Sequence, residues 1–386
     1  MDYFSSINTA AVPPLALILF PIAVTLIGAL VLYVLLLSLY RYLRKPKIIR
    51  DKGHTLARHH ANPILSPLPY REWEAYGTLN PAAIQDDDGR IHLLYRAIGD
   101  DGLSHIGHSS SADGKHFDRR SPFPIYQPSI EEKKVIGTPS SPTEYNPTLY
   151  YSGGGWGGHE DPRAVTIENR VYMTYTAFQG WESVRIAVSS ISMKDLKKER
   201  WNWSKPILLS PLNEVHKNWV LFPEKINGKF AFIHAVSPEV LIDYVDNLEN
   251  PYELKKIRSK APKGGRPEHW DNWVRGAGPP PVKTDIGWLL LYHAMDKKDP
   301  NKYKLGAMIL DLNDPTKILY RSSKPILSPD ACYENDGKPG VVYASGALIR
   351  NEDLYIYYGG GDKHVCMAQT PLRPLLDWLV TTGKVH

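Results

Sequence analysis

The sequence predicts an all-β protein, a five-bladed β-propeller preceded by one transmembrane α-helix. Turn and aromatic residues are abundant, with 32 prolines, 29 glycines and 23 tyrosines among 386 residues, and this composition favours many short strands. Five segments of the chain repeat one strand-turn-strand layout. Near the N-terminus, a long apolar stretch has no charged residue. The first two observations predict the propeller, and the third predicts the membrane helix.

Each of the five repeats contains an aromatic-rich strand that follows a turn with Asn, Asp or Gly, as tight hairpins favour. The strands are IHLLYRA (91–97), VYMTYTA (171–177), KFAFIHA (229–235), WLLLYHA (288–294) and LYIYYGG (354–360). Hairpins repeated around an axis form a propeller, whereas a β-sandwich with chance similarity is the alternative. The third repeat is the weakest, because its next strand, EVLIDYV, fits the pattern poorly.

The uncharged stretch from residue 15 to residue 40 has 26 residues. About 20 apolar residues are enough to cross a bilayer as a helix, so we expect contact with the lipid bilayer through residues 15–40. A cleaved signal peptide is the alternative, but the stretch is too long and no basic residue precedes it. We therefore assign residues 1–40 to an N-terminal tail and transmembrane helix. Residues 41–74 form a basic linker that leads into the fold, and residues 75–386 form the five-bladed catalytic domain.

The net charge of +5 comes largely from a basic cluster that directly follows the apolar stretch. Its members are Arg41, Arg44, Lys45, Lys47, Arg50 and Lys52. The positive-inside rule places this cluster, and the body after it, on the cytoplasmic side of the membrane. A nucleic-acid surface is the weaker interpretation, because no helix-turn-helix, zinc-finger or RNP pattern accompanies the charge. We therefore expect a single-pass membrane protein that binds no nucleic acid.

Polar residues flank the aromatic strand of every repeat, and a propeller brings such positions together around its central channel. They are Asn80, Arg96, Glu160, Asp161, Arg163, Lys217, Asn218, Glu224, Lys225, His234, Lys283, His293, Asp362, Lys363 and His364. Carboxylates can act as acid and base on a glycosidic bond, and the pattern therefore favours a carbohydrate site. The two cysteines, Cys332 and Cys366, are too few for a disulfide framework or a Cys-based zinc site. No metal and no cofactor are predicted.

The strongest local motif is a glycine-rich segment that ends in His159-Glu160-Asp161-Pro162-Arg163. The glycines permit a tight turn, and Pro162 restricts the backbone directly after the acid. Arg163 can hold a carboxylate or a sugar hydroxyl in place. A surface loop with a salt bridge is the alternative. A phosphate-binding P-loop is excluded, because no Gly-Lys-Ser/Thr sequence follows.

Seven segments together resemble glycoside hydrolase family 130, the β-mannoside phosphorylases and β-mannosidases. They are NPAAI (80–84), LLYRA (93–97), SADGKHF (111–117), HEDPR (159–163), LFPEKINGKF (221–230), GAGPPPVKTDIGWLLLYHA (276–294) and YYGGGDKHVCMA (357–368). They occur in the family's order and extend over most of the chain after the linker. The resemblance implies a five-bladed propeller and inverting cleavage of β-mannosidic linkages in manno-oligosaccharides or mannose-containing glycans.

The resemblance also implies roles for individual residues. Asp161 is implied as the general acid, which reaches the glycosidic oxygen through a sugar hydroxyl. Asn80, Arg96 and Asp362 are implied to hold the mannose at the cleaved position, although a structural ion pair is the alternative for Arg96 and Asp362. Further predicted substrate-binding residues are Glu160, Arg163, Lys283 and His293.

The attacking group decides between two activities. Phosphorylases of the family bind inorganic phosphate, their co-substrate, with basic residues, one of them in a His-Arg-Pro triplet that reads His234-Ala235-Val236 here. A methyl group cannot replace a guanidinium that binds phosphate. The remaining possible phosphate ligands are Lys217, Asn218 and Lys283. The sequence therefore favours hydrolysis over phosphorolysis that releases α-mannose 1-phosphate.

Hydrolysis requires a carboxylate base that activates water on the far side of the sugar. Glu268 and Glu224 are the main candidates, and Glu214 is a further one. Glu224 belongs to a segment that phosphorylases share, and Glu268 has the alternative of a solvated loop acid. A cytoplasmic location favours phosphorolysis, because phosphate is plentiful there. A non-catalytic glycan-binding propeller is the alternative of another class.

Overall fold

The computed structural model divides the chain into two compact units, Met1–Lys52 and Gly53–His386. In the first unit, residues 28–37 form a helix whose side chains are mostly exposed. The rest of the predicted membrane stretch lies outside the described residues. No helix among the described residues is long and apolar enough to cross a membrane, so the predicted transmembrane helix has no structural support. The described residues are 28–37, 53–129, 132, 155–179, 183–249, 256–259 and 264–385.

The second unit, here called the body, consists mainly of β-strands, which confirms the all-β prediction. Its first strand is β1 (Ala57–Arg58). Repeat 1 then contains β2 (Gly77–Gln85), β3 (Ile91–Ile98), β4 (Leu103–Ser111) and β5 (Arg119–Arg120). Repeat 2 contains β6 (Gly157–Ile167), β7 (Arg170–Phe178), β8 (Val184–Ser192) and β9 (Ile207–Leu208).

The remaining three repeats follow in chain order. Repeat 3 contains β10 (Val220–Leu221), β11 (Phe230–Val236) and β12 (Val240–Val245). Repeat 4 contains β13 (Trp273–Ala277), β14 (Val282–Thr284), β15 (Gly287–Asp296), β16 (Asp299–Leu310) and β17 (Ile318–Arg321). Repeat 5 contains β18 (Val342–Arg350), β19 (Asp353–Gly360) and β20 (His364–Pro371). The described part of the body also contains the α-helices α1 (Met193–Lys197) and α2 (Leu372–Thr382).

Strands pair antiparallel within each repeat, and the pairing between repeats is slight. Repeats 1 and 2 are joined by a short parallel pairing in which Leu103 lies opposite Gly157. Among the described residues, the hydrogen-bonded strands form four separate sheets rather than one closed sheet. Side-chain packing therefore has to hold the five repeats together.

Hydrophobic clusters fill the spaces between consecutive repeats. Successive side chains of a strand point to opposite faces, so Leu94 packs with Met173 of repeat 2, whereas Leu93 packs with Tyr357 of repeat 5. Similar clusters lie between repeats 2 and 3, repeats 3 and 4, and repeats 4 and 5. Each repeat is thus covered on both faces by its neighbours, and repeat 5 packs against repeat 1.

The segment before repeat 1 is part of the body. Strand β1 pairs antiparallel with β20, the last strand, with Ala57 opposite Gln369. Leu56 and Leu65 are buried, and Arg58 forms an ion pair of 2.8 Å with the buried Glu334. Residues from both ends of the body therefore complete one sheet. The domain boundaries at residues 40 and 74 stay predictions.

Candidate active site

The first strand of four repeats contains a β-bulge near its start. The bulged residues are Asn80-Pro81 in β2, Asp161-Pro162 in β6, Arg275 in β13 and Ser345 in β18. A bulge interrupts the ladder and redirects a side chain, and bulges are frequent next to active sites.

Asn80 and Asp161 adopt left-handed backbone conformations at these bulges, with φ of 48° and 51°. Such values are uncommon for residues other than glycine, although Asn and Asp tolerate them best. Each of the two also precedes a proline, which restricts the backbone further. Strained conformations of this kind concentrate at functional sites, and here the strain is found at the two predicted site residues.

Asp161 is the centre of a buried polar cluster. Asn80 Nδ2 donates a hydrogen bond of 2.7 Å to Asp161 Oδ1, and Arg96 Nη1 lies 3.3 Å from the same oxygen. The exposed fraction of the Asp161 residue is only 5%. One carboxylate oxygen therefore receives two donors from repeat 1, although the carboxylate belongs to repeat 2.

Glu160 connects this cluster to repeat 3. Arg96 Nη2 donates to Glu160 Oε1 at 2.9 Å, and Lys217 Nζ donates to Glu160 Oε2 at 2.9 Å. Glu160 is fully buried, whereas the side chain of Lys217 is 24% exposed. The lysine thus lies at the border between the buried carboxylates and solvent.

The cationic neighbours determine the ionisation of Asp161. Burial by itself raises the pKa of Asp161, but the charges of Arg96 and Lys217 outweigh it and hold that pKa below its usual range. Asp362 shows the opposite result, because burial raises its pKa more than the nearby Lys338 and Arg96 lower it. Lys338 Nζ lies 3.6 Å from the Asp362 carboxylate. The site therefore holds one carboxyl group that loses its proton more readily than usual and one that retains it more readily.

Arg163 ties four segments together beneath the cluster. Its Nη1 donates to the backbone oxygen of Asp161 at 2.9 Å, and its Nε donates to the backbone oxygen of Gly278 at 2.8 Å. Its Nη2 donates to the Tyr343 hydroxyl at 2.6 Å and to Asn218 Oδ1 at 3.1 Å. These bonds fix the backbone that positions the Asp161 carboxylate, so Arg163 is a positioning residue in this structure.

Tyr343, His293 and Tyr303 form an aromatic wall beside Arg163. The His293 ring stacks on Tyr343 with a centroid distance of 4.3 Å, and Tyr303 lies 5.4 Å from His293. Burial lowers the pKa of His293 to about 3, so its ring is neutral at physiological pH. Burial also raises the pKa of Tyr303 to about 12. The wall is therefore uncharged, as the stacking face of a sugar site should be.

Gly359 makes room for Asn80, and sequence reasoning did not identify it. A Cβ added at Gly359 would lie 2.1 Å from Asn80 Oδ1, a distance that real atoms cannot adopt. The run Tyr358-Gly359-Gly360 was a visible signal, because side-chain-free positions permit close approach. Tyr343 was also missed, since one tyrosine among many aromatic strand residues has no distinguishing pattern.

Several predicted residues lie elsewhere. Lys283 Nζ pairs with Glu224 Oε1 at 2.7 Å, and both side chains are about half exposed. Lys283 lines a cavity of about 260 Å³ with Gln85 and Thr166. Because its lining begins at Ala83 and Ala164, three residues beyond Asn80 and Asp161, the near edge of this cavity lies about 10 Å further along β2 and β6. The structure therefore brings Glu224 and Lys283 together, but away from Asp161.

The other candidate bases are also outside the cluster. Glu268 is exposed and lines a cavity of about 500 Å³ with Arg266 and His269. Glu214 contacts His216 at 2.6 Å. No contact among the described residues joins these carboxylates to Asp161. His234 contacts Ser259 and Asp243 at 2.8 and 3.0 Å.

The body and its cluster define a class of protein, an all-β scaffold in which carboxylates, amides and aromatic rings converge as they do in carbohydrate-active proteins. The chain belongs to glycoside hydrolase family 130, because the family model described as beta-1,4-mannooligosaccharide phosphorylase matches residues 55–381.

Individual relatives agree with the family assignment. The chain is 36% identical over 330 residues to a 1,2-beta-oligomannan phosphorylase of Thermoanaerobacter sp. (strain X514), covering 83% of this chain and 98% of the relative. It is 35% identical over 327 residues to a beta-1,2-mannobiose phosphorylase of the same organism, covering 81% and 96%.

A solved structure also matches the body. It is described with the GH130 glycoside hydrolases that target beta-1,2 mannosidic linkages in Candida mannan. The match has a TM-score of 0.64 at 25% identity and covers 85% of this chain and 97% of that chain. Family relatives therefore include both phosphorylases and hydrolases.

Proposed function

We propose that this protein is an inverting β-mannoside phosphorylase that cleaves β-1,2-linked manno-oligosaccharides and releases α-mannose 1-phosphate. One observation carries the proposal: a partly exposed cation, Lys217, is held directly beside the buried carboxylates Glu160 and Asp161. The two phosphorylases at 36% and 35% identity support both the phosphate and the β-1,2 linkage.

In this proposal Asp161 is the general acid. In the free site Asp161 is a carboxylate. Dihydrogen phosphate gives it one proton, the bound mannose excludes water, and Asp161 delivers that proton through a mannose hydroxyl to the glycosidic oxygen. The bond from C1 to the leaving oxygen breaks while a phosphate oxygen bonds to C1 on the opposite face, so the configuration inverts. Dihydrogen phosphate brings two protons; one ends on the leaving sugar and one stays on the sugar phosphate, which balances the reaction.

The neighbouring residues hold the mannose. Asn80 and Arg96 bind sugar hydroxyls as well as Asp161, and Asp362, with its raised pKa, can both donate and accept a hydrogen bond. Tyr343, which keeps 8% of its surface exposed, provides an uncharged contact for the ring, and the fully buried His293 packs against it. Arg163 keeps the Asp161 backbone in place during the reaction.

The preference for hydrolysis drawn from the sequence is replaced by phosphorolysis here. A water-activating base has to face the sugar from the side opposite the acid. Glu224 is paired with Lys283, and Glu268 is exposed on a loop. The contacts of Glu224 and Glu268 therefore do not support either residue as the water-activating base opposite Asp161. Basic side chains, such as Lys217, do lie beside Asp161.

Hydrolysis is the second candidate function, and two observations favour it. Ala235 stands where the family's phosphorylases have a phosphate-binding arginine, and a relative of similar fold is described with β-1,2-specific hydrolases. A glycan-binding protein without activity is a third candidate. The strained backbone of the ionised Asp161, held among Asn80 and Arg96, argues against a protein that only binds glycans, because binding alone does not require a strained acid.

We also propose the five-bladed propeller as the architecture of the body. The five antiparallel repeats and the clusters between consecutive repeats, including that between repeats 5 and 1, support it. Single-pass membrane location with a cytoplasmic body is a proposal from the sequence, supported by the uncharged stretch 15–40 and the basic cluster after it. A reporter fused at the C-terminus tests it, and reporter activity on the external side would contradict it.

Incubation with β-1,2- or β-1,4-mannobiose, each with phosphate, without phosphate, or with sulfate at equal ionic strength, tests the activity. We expect mannose 1-phosphate, in the α configuration by proton NMR, only with phosphate and mainly from the β-1,2 substrate. Mannose formed equally without phosphate would establish hydrolysis instead. No turnover of either mannobiose would contradict the substrate class.

A further inference from the structure

Arg275 occupies the bulge of β13, as Asn80 and Asp161 occupy the bulges of β2 and β6. The register of β13 against β15 shifts between Val274 and Gly276, which leaves Arg275 as the extra residue. A bulge of this kind redirects its side chain out of the ladder. The equivalent bulges in repeats 1 and 2 supply Asn80 and Asp161, the central residues of the site. Arg275, at the bulge of repeat 4, is therefore a candidate for a further site residue.

The backbone of Arg275 packs directly against the site. Its carbonyl oxygen accepts a hydrogen bond of 3.0 Å from Asn218 Nδ2. Gly276 has φ of 138°, and a Cβ there would lie 2.8 Å from the Asn218 side chain. Asn218 in turn contacts Arg163 and follows Lys217 in the chain. The bulge is thereby fixed beside the residues that border the carboxylate cluster.

The guanidinium of Arg275 is held at the edge of the aromatic wall. Its central carbon lies 4.8 Å from the Trp273 ring centre and 6.0 Å from that of Tyr303. Tyr303 is half-buried, whereas Arg275 is exposed. The Arg275 guanidinium also forms a hydrogen bond with the Tyr303 side chain. Stacking and this bond restrict the planar group, and its remaining N–H groups can bind an oxyanion in a bidentate manner.

The charges around the site favour an anion. Cationic side chains outnumber carboxylates among the residues discussed above: Arg96, Arg163, Lys217, Arg275 and Lys338 against Glu160, Asp161 and Asp362. The carboxylates already contact cations of this set. The excess of positive charge suits a phosphate ion, and Arg275, Lys217 and Lys338 are its solvent-accessible members. Lys338 lies beside Asp362, whereas Arg275 and Lys217 flank Asn218.

We propose that Arg275, together with Lys217, binds the phosphate co-substrate and replaces the arginine that is absent at position 235. This inference rests on the proposed phosphorolysis. It assigns the phosphate specificity of this chain to repeats 3 and 4, through a residue that neither the family motif nor the sequence pattern identified. Phosphate between Lys217 and Arg275 would enter from solvent.

Steady-state kinetics of Arg275→Ala, with phosphate varied at saturating β-1,2-mannobiose, tests the assignment. We expect the phosphate KM to rise about 10- to 100-fold, as the loss of charge-assisted hydrogen bonds predicts, while the mannobiose KM stays within about twofold. In the reverse direction, the KM for mannose 1-phosphate should rise similarly. Arg275→Lys should give an intermediate value, because an ammonium cannot bind phosphate in a bidentate manner. Arg373→Ala, which removes an exposed arginine of α2, should match the wild type.

The outcomes separate the two proposals. If the wild type needs phosphate and Arg275→Ala has an unchanged phosphate KM, the assignment of Arg275 is wrong and phosphorolysis stands. If the wild type cleaves mannobiose without phosphate, phosphorolysis itself fails. A purely structural role would lower the melting temperature and raise both KM values together. Should Arg275→Ala not fold, Arg275→Lys decides alone, since a wild-type phosphate KM in that variant contradicts the proposal.

Discussion

Repeats 1 and 2 differ from repeats 3 and 4 in the side chains that they present around the carboxylate cluster. The first pair places an amide and a carboxylate at its bulges, Asn80 and Asp161, and surrounds them with buried partners. The second pair places Lys217 and Arg275 at the border with solvent. Arg275 lies at a bulge, as Asn80 and Asp161 do, whereas Lys217 lies in the loop before β10.

The difference shows how repeated hairpins divide the work of a two-substrate reaction. In our proposal the buried half binds the sugar and supplies the proton, and the solvent-facing half supplies the attacking anion. A sugar site must exclude water, whereas a phosphate ion has to exchange with solvent at every turnover. The different burial of Asp161 and Arg275 fits this division.

The largest expected effect concerns the buried half. Asp161→Asn removes the proposed acid but keeps the size of the side chain and an acceptor for Asn80. We expect kcat on β-1,2-mannobiose to fall about 10²- to 10⁴-fold, the usual contribution of general acid catalysis, with the melting temperature little changed. Rates are measured by release of mannose 1-phosphate.

A matched control keeps this prediction specific. Asp285→Asn changes an exposed aspartate that pairs with Arg373, and it should retain full activity. If Asp161→Asn kept more than a tenth of the wild-type rate, the acid would have to be sought elsewhere, and the comparison between the two halves would lose its basis.

A smaller effect is expected where repeat 5 approaches repeat 1. Gly359→Ala inserts a methyl group at 2.1 Å from Asn80 Oδ1, so Asn80 has to move away from Asp161. We expect kcat/KM for mannobiose to fall about 10-fold and stability to fall by about 1–3 kcal/mol, as overpacking typically costs. The phosphate KM should not change, which would sharpen the separation of the two halves.

Gly264→Ala is the matched substitution for this test. Its Cβ would meet its nearest neighbour, Pro238, at an ordinary 3.4 Å, so activity and melting temperature should remain near the wild type. Equal losses in both alanine variants would show that the effect of Gly359→Ala does not arise from Asn80.

The smallest expected effect is a loss of stability in acid. It distinguishes His108, a buried histidine of repeat 1, from the exposed His116. Burial lowers the pKa of His108 to about 3, whereas an unfolded histidine titrates near 6.5. Below pH 6.5 the unfolded chain binds a proton that folded His108 does not, so stability falls as pH falls towards 3. At pH 5.5 the loss should be about 1 kcal/mol.

Denaturant titrations at pH 7.5 and 5.5 measure this loss. His108→Gln should be less sensitive to acid than the wild type by about 1 kcal/mol. His116→Gln, which changes an exposed histidine near the same repeat, should keep the wild-type sensitivity. An unchanged pH dependence in His108→Gln would place the acid sensitivity in other groups, such as His293.

The sequence predicted the strands from local patterns, and the residues that it singled out in repeats 1 and 2 lie together in one buried cluster, although their roles stay predictions. The aromatic strands are buried on both faces, and the Asn-Pro and Asp-Pro pairs coincide with the strained bulges at Asn80 and Asp161. Family motifs could therefore be transferred residue by residue. The confirmed all-β class followed from the same signals.

The other half could not be predicted in this way. Arg275 reaches the site only because of a register shift between β13 and β15, which no local composition reveals. Lys283 and Glu224 looked suitable by residue type, yet they pair with each other beside the cavity that Lys283 lines. Gly359 was missed because its importance depends on the distance to Asn80, a contact between residues far apart in sequence.

The pairing of β1 with β20 has a consequence for biosynthesis. Strand β1 leaves the ribosome first among the strands of the body, and its partner β20 leaves last. The final sheet therefore cannot be completed until nearly the whole chain has been synthesised, and closure of so long a loop is slow. Until then, β1 and the face of repeat 1 that packs against repeat 5 remain uncovered on the nascent chain.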